Sequence, residues 1–369
     1  MAKKRTRIDV SSPEAQALAA QIQRDTFVTE GRFVAFPTCF PGVTAPIPGD
    51  ESRITALDVS AAGVVHGGTS GRRVHVLAGA FGGPTGLVFD LGVVEDAQEC
   101  TAVCCGATRF VACVNGATGG RIVSGRVQGV PGDLLQEWGF GRGPIDDHGG
   151  VVEGEPILHA IAEASRQRAV GVSSSRLFVT EIETGATEIV GAVRGRGRLA
   201  RGAAGAVFGF DEGDSLWRFD PGTGRLDRRA VALPGGRWDA SAARWGRDPT
   251  SGLLYTGDAD GQLFALAGAG EMRGPLGRVP LTPVGAMAVT LDGRLFGFCG
   301  AEMAKMFCFD PGTAAVRTLG VAVSVIERRR YGYVFGDAIT GPGGELVFGE
   351  NDDLGHLWLY FPTIRPATG

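Results

Sequence analysis

The densest group of reactive side chains runs Glu327-Arg328-Arg329-Arg330-Tyr331-Gly332-Tyr333, continues at Asp337, and resumes from Glu350 to His356. Arginines hold a carboxylate or sulfate in bidentate fashion. A tyrosine or histidine beside such a clamp can take a proton from the carbon next to the acid. That is the arrangement β-elimination of an acidic sugar needs, with Arg328, Arg329 and Arg330 neutralising the acid, Tyr331, Tyr333 or His356 as base, and Asp337 nearby. The plainer reading is a solvated basic turn. The histidines are five. His66, in His66-Gly67-Gly68-Thr69-Ser70, reads as a loop residue, His148 falls in the insertion 139–150, and His356 ends the loop 351–355. If those loops share a face, the three could hold a divalent metal (Mn, Zn or Ca) or do acid–base work; otherwise they are scattered turn histidines. Arg142, in the insertion that carries His148, and Trp238 are further candidates for substrate contact. His75 and His159 lie in apolar runs and read as packed strand residues.

Other chemistries leave no signature. There is no Gly-x-Ser-x-Gly elbow, P-loop or His-Glu-x-x-His, and no Gly-x-Gly piece opens a helix after a strand, so neither a nucleotide nor a quinone is expected. Asp258-Ala259-Asp260-Gly261 opens like a calcium loop but lacks the later ligands, and turn chemistry explains it. Cys39, Cys100, Cys104, Cys105, Cys113, Cys299 and Cys308 contain no Cys-x-x-Cys and are odd in number; they read as buried, reduced thiols of a cytoplasmic protein. A net charge of −4 argues against binding nucleic acid through phosphates. The basic start Met1–Arg7 is followed by no apolar segment of signal or membrane-span length, so no membrane association is expected.

The elements that must position these residues are short. Sixty glycines among 369 residues, with 44% hydrophobic residues, suit many strands joined by tight turns. A single helix is expected after Ser12, with Pro13 and Glu14 in its first turn and Leu18 and Ile22 on one face. From about residue 50 a strand–loop–strand unit recurs. Leu216-Trp217-Arg218-Phe219-Asp220-Pro221-Gly222-Thr223 parallels Met306-Phe307-Cys308-Phe309-Asp310-Pro311-Gly312-Thr313. Aligned on Val74, Ile122, Leu177, Leu216, Leu263, Met306 and Leu357, the units are 48, 55, 39, 47, 43 and 51 residues apart. Such periods, with about four strands each, predict an all-β, seven-bladed β-propeller. The last unit offers only three strands, 333–339, 345–350 and 356–361. The spare strand 31–36 is expected to complete it and close the ring. The domain reading is a basic start and helix over 1–30, the propeller over 31–362, and a tail over 363–369.

Over about residues 30–362 the Phe-x-Phe/Leu strand followed by Asp-Pro-x-Thr-Gly resembles propellers of the kelch-like and quinoprotein-like kind. The resemblance implies architecture; the repeated tryptophan docking positions of quinoproteins are missing, and the single Trp238-Asp239 does not make WD40 blades. Fold does not fix function. The leading expectation is therefore a carbohydrate-active, lyase-type enzyme acting on an acidic oligosaccharide or related small polar molecule. Its rival is a non-catalytic propeller that binds a protein or senses a ligand. The enzyme reading expects His66, His148, Asp337 and His356 around one channel pocket; the rival expects a broad face with exposed aromatics such as Trp138, Trp238 and Tyr331.

Overall fold

Seven four-stranded antiparallel sheets form the blades of a propeller in a computed structural model that describes residues 12, 13, 16, 30–38, 47–129, 143–211, 215–268, 270–325 and 330–363. From the channel outward, blade one is Arg53–Val59, Val65–Ser70, Val74–Gly82 and Thr85–Val94. Blade two is Glu99–Cys105, Arg109–Gly116, Gly119–Arg126 and Asp146–Gly150. Blade three is Ile157–Ala162, Arg168–Ser173, Arg176–Glu181 and Thr187–Ala192. Blades four and five begin with the short strands Ala200–Arg201 and Trp245–Arg247. Blade six begins with Val284–Val289 and blade seven with Phe335–Thr340. Of the expected N-terminal helix, most lies outside the described residues; the Gln16 amide donates to the Ser12 carbonyl, one helical turn.

The core is distributed. Seven buried apolar clusters each lie between two neighbouring blades. The wedge between blades four and five, for example, joins Phe208 and Leu216 to Leu254 and Leu266. Inside the blades one contact recurs: an aromatic ring of the third strand lies over a glycine of the second. Gly171 pairs with Phe178, Gly209 with Trp217 and Gly297 with Phe307. A methyl group added at Gly209 would stand 2.2 Å from the Trp217 ring, so only glycine lets the ring close down on the strand.

The ring closes as expected. Gly31–Pro37 pairs antiparallel with His356–Pro362 over its full length, from Gly31 opposite Pro362 to Pro37 opposite His356. It is blade seven's outer strand. Phe33 is buried against Phe298, Trp358 and Tyr360. The strand's other edge is also held: the Val325 amide donates to the Phe33 carbonyl at 3.0 Å, and Ser324 Oγ accepts from the Ala35 amide at 3.2 Å. Glu30 forms a two-pronged ion pair with Arg317 of blade six.

Phe33→Ala is therefore expected to cost about 3–5 kcal/mol by denaturant unfolding, and deletion of residues 1–40 to lower the melting temperature of the whole domain. A truncated chain that melts like the full one would contradict closure by this strand.

Candidate functional site

The innermost strands line a central channel with a cavity of about 310 Å³. Its walls are mostly Leu, Val, Ile and Ala, but its charged lining is one-sided: Arg166, Arg198, Arg201, Arg244 and Arg247 against Asp58 and Asp337, with His159 among them. In a chain of net charge −4, that concentrates positive charge in a half-buried channel.

Backbone geometry puts these side chains there. The innermost strands of blades three and seven carry register irregularities between Ile157 and His159 and between Phe335 and Asp337. Such bulges re-aim a side chain. Each turned residue takes up an amide of the next blade's edge. Asp337 Oδ2 accepts from the Leu57 amide at 2.8 Å, and His159 Nδ1 from the Leu199 amide at 3.1 Å. Asp58 does the same from beyond its own strand's irregularity, which lies between Ile54 and Ala56, accepting from the Cys105 amide at 2.7 Å.

Each aspartate is then met by an arginine from across the channel. Arg166 binds Asp58 through two bonds of 2.9 and 3.2 Å. Arg198 binds Asp337 at 2.5 Å and also donates to the carbonyls of Thr55 and Gly336. Burial opposes the charge on Arg166, but Asp58 outweighs it and holds the guanidinium above its ordinary value.

Three arginines remain. Among the described residues no carboxylate pairs with Arg201, Arg244 or Arg247 within ion-pair distance. Arg201 donates to the Ala162 and Glu163 carbonyls, Arg247 to the Arg201 carbonyl, and Arg244 to the carbonyls of Ala242 and Ala243. Burial lowers all three: Arg244 to about 10, with Arg198 adding repulsion, and Arg201 with further repulsion from Arg247 and Arg166. Burial, then Arg198 and Arg244, hold His159 well below the usual histidine range. Its Nδ1 accepts a backbone hydrogen bond, so the neutral ring carries its proton on Nε2. The site is thus three half-buried cations that form no direct ion pair among the described residues, with Asp58, Asp337, Asp239 and Asp248 offsetting their burial only in part, plus one neutral N–H donor.

Of the candidates that lie among the described residues, only Asp337 lines this cavity. Its oxygens are engaged by Leu57, Ala338 and Arg198, so it positions Arg198 rather than standing open as a base. His66 is not in a loop. It sits in the second strand of blade one, fully buried, with Nδ1 3.2 Å from the Val64 carbonyl and Nε2 accepting from the Gln128 amide. Burial drives it down to about 4. His148 lies in the outer strand of blade two, 2.8 Å from Ser124 Oγ. His356 is buried at the start of blade seven's third strand, its Nδ1 2.9 Å from Glu350. The histidine trio therefore does not gather, and among the described residues no three His, Cys, Asp or Glu side chains are grouped as metal ligands.

Arg330 is bound to Glu350 and the Leu354 carbonyl, whereas Tyr331 and Tyr333 are exposed. Arg328, Arg329, Arg142 and Trp138 lie outside the described residues. Trp238 packs on Phe264 and lines a separate pocket with Arg196, Asp211 and Asp239. His159, expected to be a packed strand residue, is buried as expected and also lines the channel. Asp258 closes its own turn by accepting from the Asp260 and Gln262 amides. The six described cysteines are buried and free, with Cys100 pushed up to about 12 by burial. No described helix is long and apolar enough to cross a membrane.

The channel arginines carried a sequence signal that contiguous motifs hid. Arg198-Leu199-Ala200-Arg201 and Arg244-Trp245-Gly246-Arg247 stand 46 residues apart, one blade period, at the same place in adjacent blades.

Neither a family model nor a curated protein sequence matches the chain. Solved structures do. Virginiamycin B lyase from Staphylococcus aureus superposes with a TM-score of 0.61 at 10% identity, covering 90% of this chain and 99% of its own. A catalytically inactive histidine-to-alanine form of that enzyme with Quinupristin gives 0.59 at 9% identity, covering 90% and 100%. The extracellular domain of a hybrid two-component system from Bacteroides thetaiotaomicron gives 0.55 at 11%, covering 90% of this chain and 40% of that one. At such identities the likeness is one of fold, and the fold of this chain is a seven-bladed propeller.

The lowered His66 has a consequence for acid stability. The unfolded chain, with an ordinary imidazole near 6.5, takes up a proton before the folded one does. Stability is intact above pH 6.5 and falls, by on the order of 3 kcal/mol, as pH drops toward about 4. His66→Gln is expected to flatten that part of the stability–pH curve; equal slopes in variant and wild type would show that His66 does not titrate.

Proposed function

We propose that this propeller binds a small anionic organic molecule in its central channel. The observation that carries the reading is the surplus of Arg201, Arg244 and Arg247, half-buried guanidinium groups whose protonation burial opposes and that form no ion pair with a carboxylate among the described residues. A buried cation without a counter-ion is a cost to the fold. An entering carboxylate, sulfate or phosphate removes that cost and gains charge-assisted hydrogen bonds. The Nε2–H of His159 adds a neutral donor at the same wall. An acidic sugar or oligosaccharide end fits this chemistry, since its acid meets arginine while its neutral part faces the apolar channel strands.

Lyase-type elimination on such a molecule is the second reading. It is supported by the arginine set, which would stabilise the negative charge that develops when a proton leaves the carbon beside an acid, and by the fold likeness to virginiamycin B lyase. Plain binding is favoured by the engagement of both channel aspartates and of His159 Nδ1, which leaves no lining carboxylate open as a base.

Titration calorimetry with a galacturonate disaccharide tests the first reading. Arg244→Gln is expected to weaken binding by about tenfold or more, since a hydrogen bond to a charged group contributes roughly 1.5–3 kcal/mol. Rising salt is expected to weaken wild-type binding only modestly, because the arginines are half-buried. Ultraviolet absorbance of an unsaturated product, followed in the same mixture, separates the readings. Binding without product favours the receptor, and product formation the lyase.

A further inference from the structure

The channel cations form two levels. Arg198 and Arg244 precede the innermost strands of blades four and five, and Arg201 and Arg247 follow each of them by three residues. At the rise of a strand, three residues span about 10 Å along the channel. The partners follow the same order along the neighbouring strands. Arg198 bonds to Asp337, the second residue after Phe335 in blade seven's innermost strand, and His159 lies early in that of blade three. Arg201 instead bonds to the Ala162 and Glu163 carbonyls at the far end of blade three's innermost strand, and Arg247 to the Arg201 carbonyl. Arg166, just beyond that same end, bonds to Asp58.

Each level therefore contains one arginine ion-paired to an aspartate and at least one that forms no ion pair among the described residues. The first has Arg198 with Asp337, leaving Arg244 and the His159 donor. The second has Arg166 with Asp58, leaving Arg201 and Arg247. A ligand with one acid satisfies one level and leaves the other uncompensated. The channel lining also includes the apolar Leu57, Val103 and Ala160, whose side chains offer no charge.

We infer that the channel holds two anionic groups at once, so that its ligand is an elongated dianion whose acids stand about 10 Å apart. This rests on the channel being an anion site, and it names the class of anion. A dianion of that length lies along the channel axis, one acid against Arg244 and His159, the other against Arg201 and Arg247. Its two interactions add because both are made by one molecule.

The test uses straight-chain dicarboxylates from succinate to sebacate and the monocarboxylates of the same lengths, titrated calorimetrically into the wild-type chain at fixed ionic strength. The long dicarboxylates are expected to bind about tenfold or more tighter than the matching monocarboxylates, with no such advantage for succinate. Arg244→Gln and Arg247→Gln should each reduce the long dicarboxylate to monocarboxylate affinity. The chain-length dependence is read on the wild-type protein, so the inference stays testable if a variant fails to fold. Monocarboxylates binding as tightly as dicarboxylates at every length would overturn the two-level ligand while leaving a single anion site in place. Binding of neither would overturn both.

Discussion

Every blade of a propeller turns one unpaired strand edge toward the centre, and that edge must find partners. A row of buried amides without acceptors is costly. Asp337, Asp58 and His159 answer this need by accepting from the next blade's Leu57, Cys105 and Leu199 amides. Carboxylates placed there bring buried negative charge, and Arg198 and Arg166 offset it. The channel's chemistry grows from this sequence of compensations. What exceeds it, at Arg201, Arg244 and Arg247, forms no ion pair among the described residues and is what the proposed anion site rests on.

The remainder of the fold keeps those strands in place. Apolar wedges between blades press neighbouring sheets together, and the rings over Gly171, Gly209 and Gly297 let second and third strands pack closely within a blade. The closing strand turns an open row of sheets into a ring. Its grip on both blade seven and the 324–325 segment ties the last blade to the sixth as well as to the start of the chain.

The architecture was legible because it repeats: a strand pair and an Asp-Pro-Gly-Thr turn at blade-length spacing identify the sheets, and three strands at the end of the chain call for a fourth. The site was legible only in part. The contiguous run Arg328-Arg329-Arg330 stands out in a linear sequence, whereas the channel set is drawn from five blades and single positions. Arg198 closes an Arg-Gly-Arg-Gly-Arg stretch that reads as a polar turn, and its match to Arg244 appears only once the blade period is applied. His66 was misplaced for a different reason. Gly67-Gly68-Thr69-Ser70 has turn composition, yet the strand is fully buried. Glycine is required at Gly68 because a side chain there would run into Cys100 of blade two.

Arg198 belongs to blade four by sequence, yet its guanidinium is bonded to Asp337 and Gly336 of blade seven and to Thr55 of blade one. Arg166 reaches from blade three to Asp58 of blade one and the Cys105 carbonyl of blade two. These side chains act as spokes. A wheel held only along its rim can breathe by letting its bore widen; in this one, widening must draw a guanidinium away from a carboxylate in a half-buried setting, where that contact is strong. The diameter of the hub and its electric potential are governed by the same few atoms. A substitution that retunes the charge of the opening therefore also alters the stiffness of the wheel.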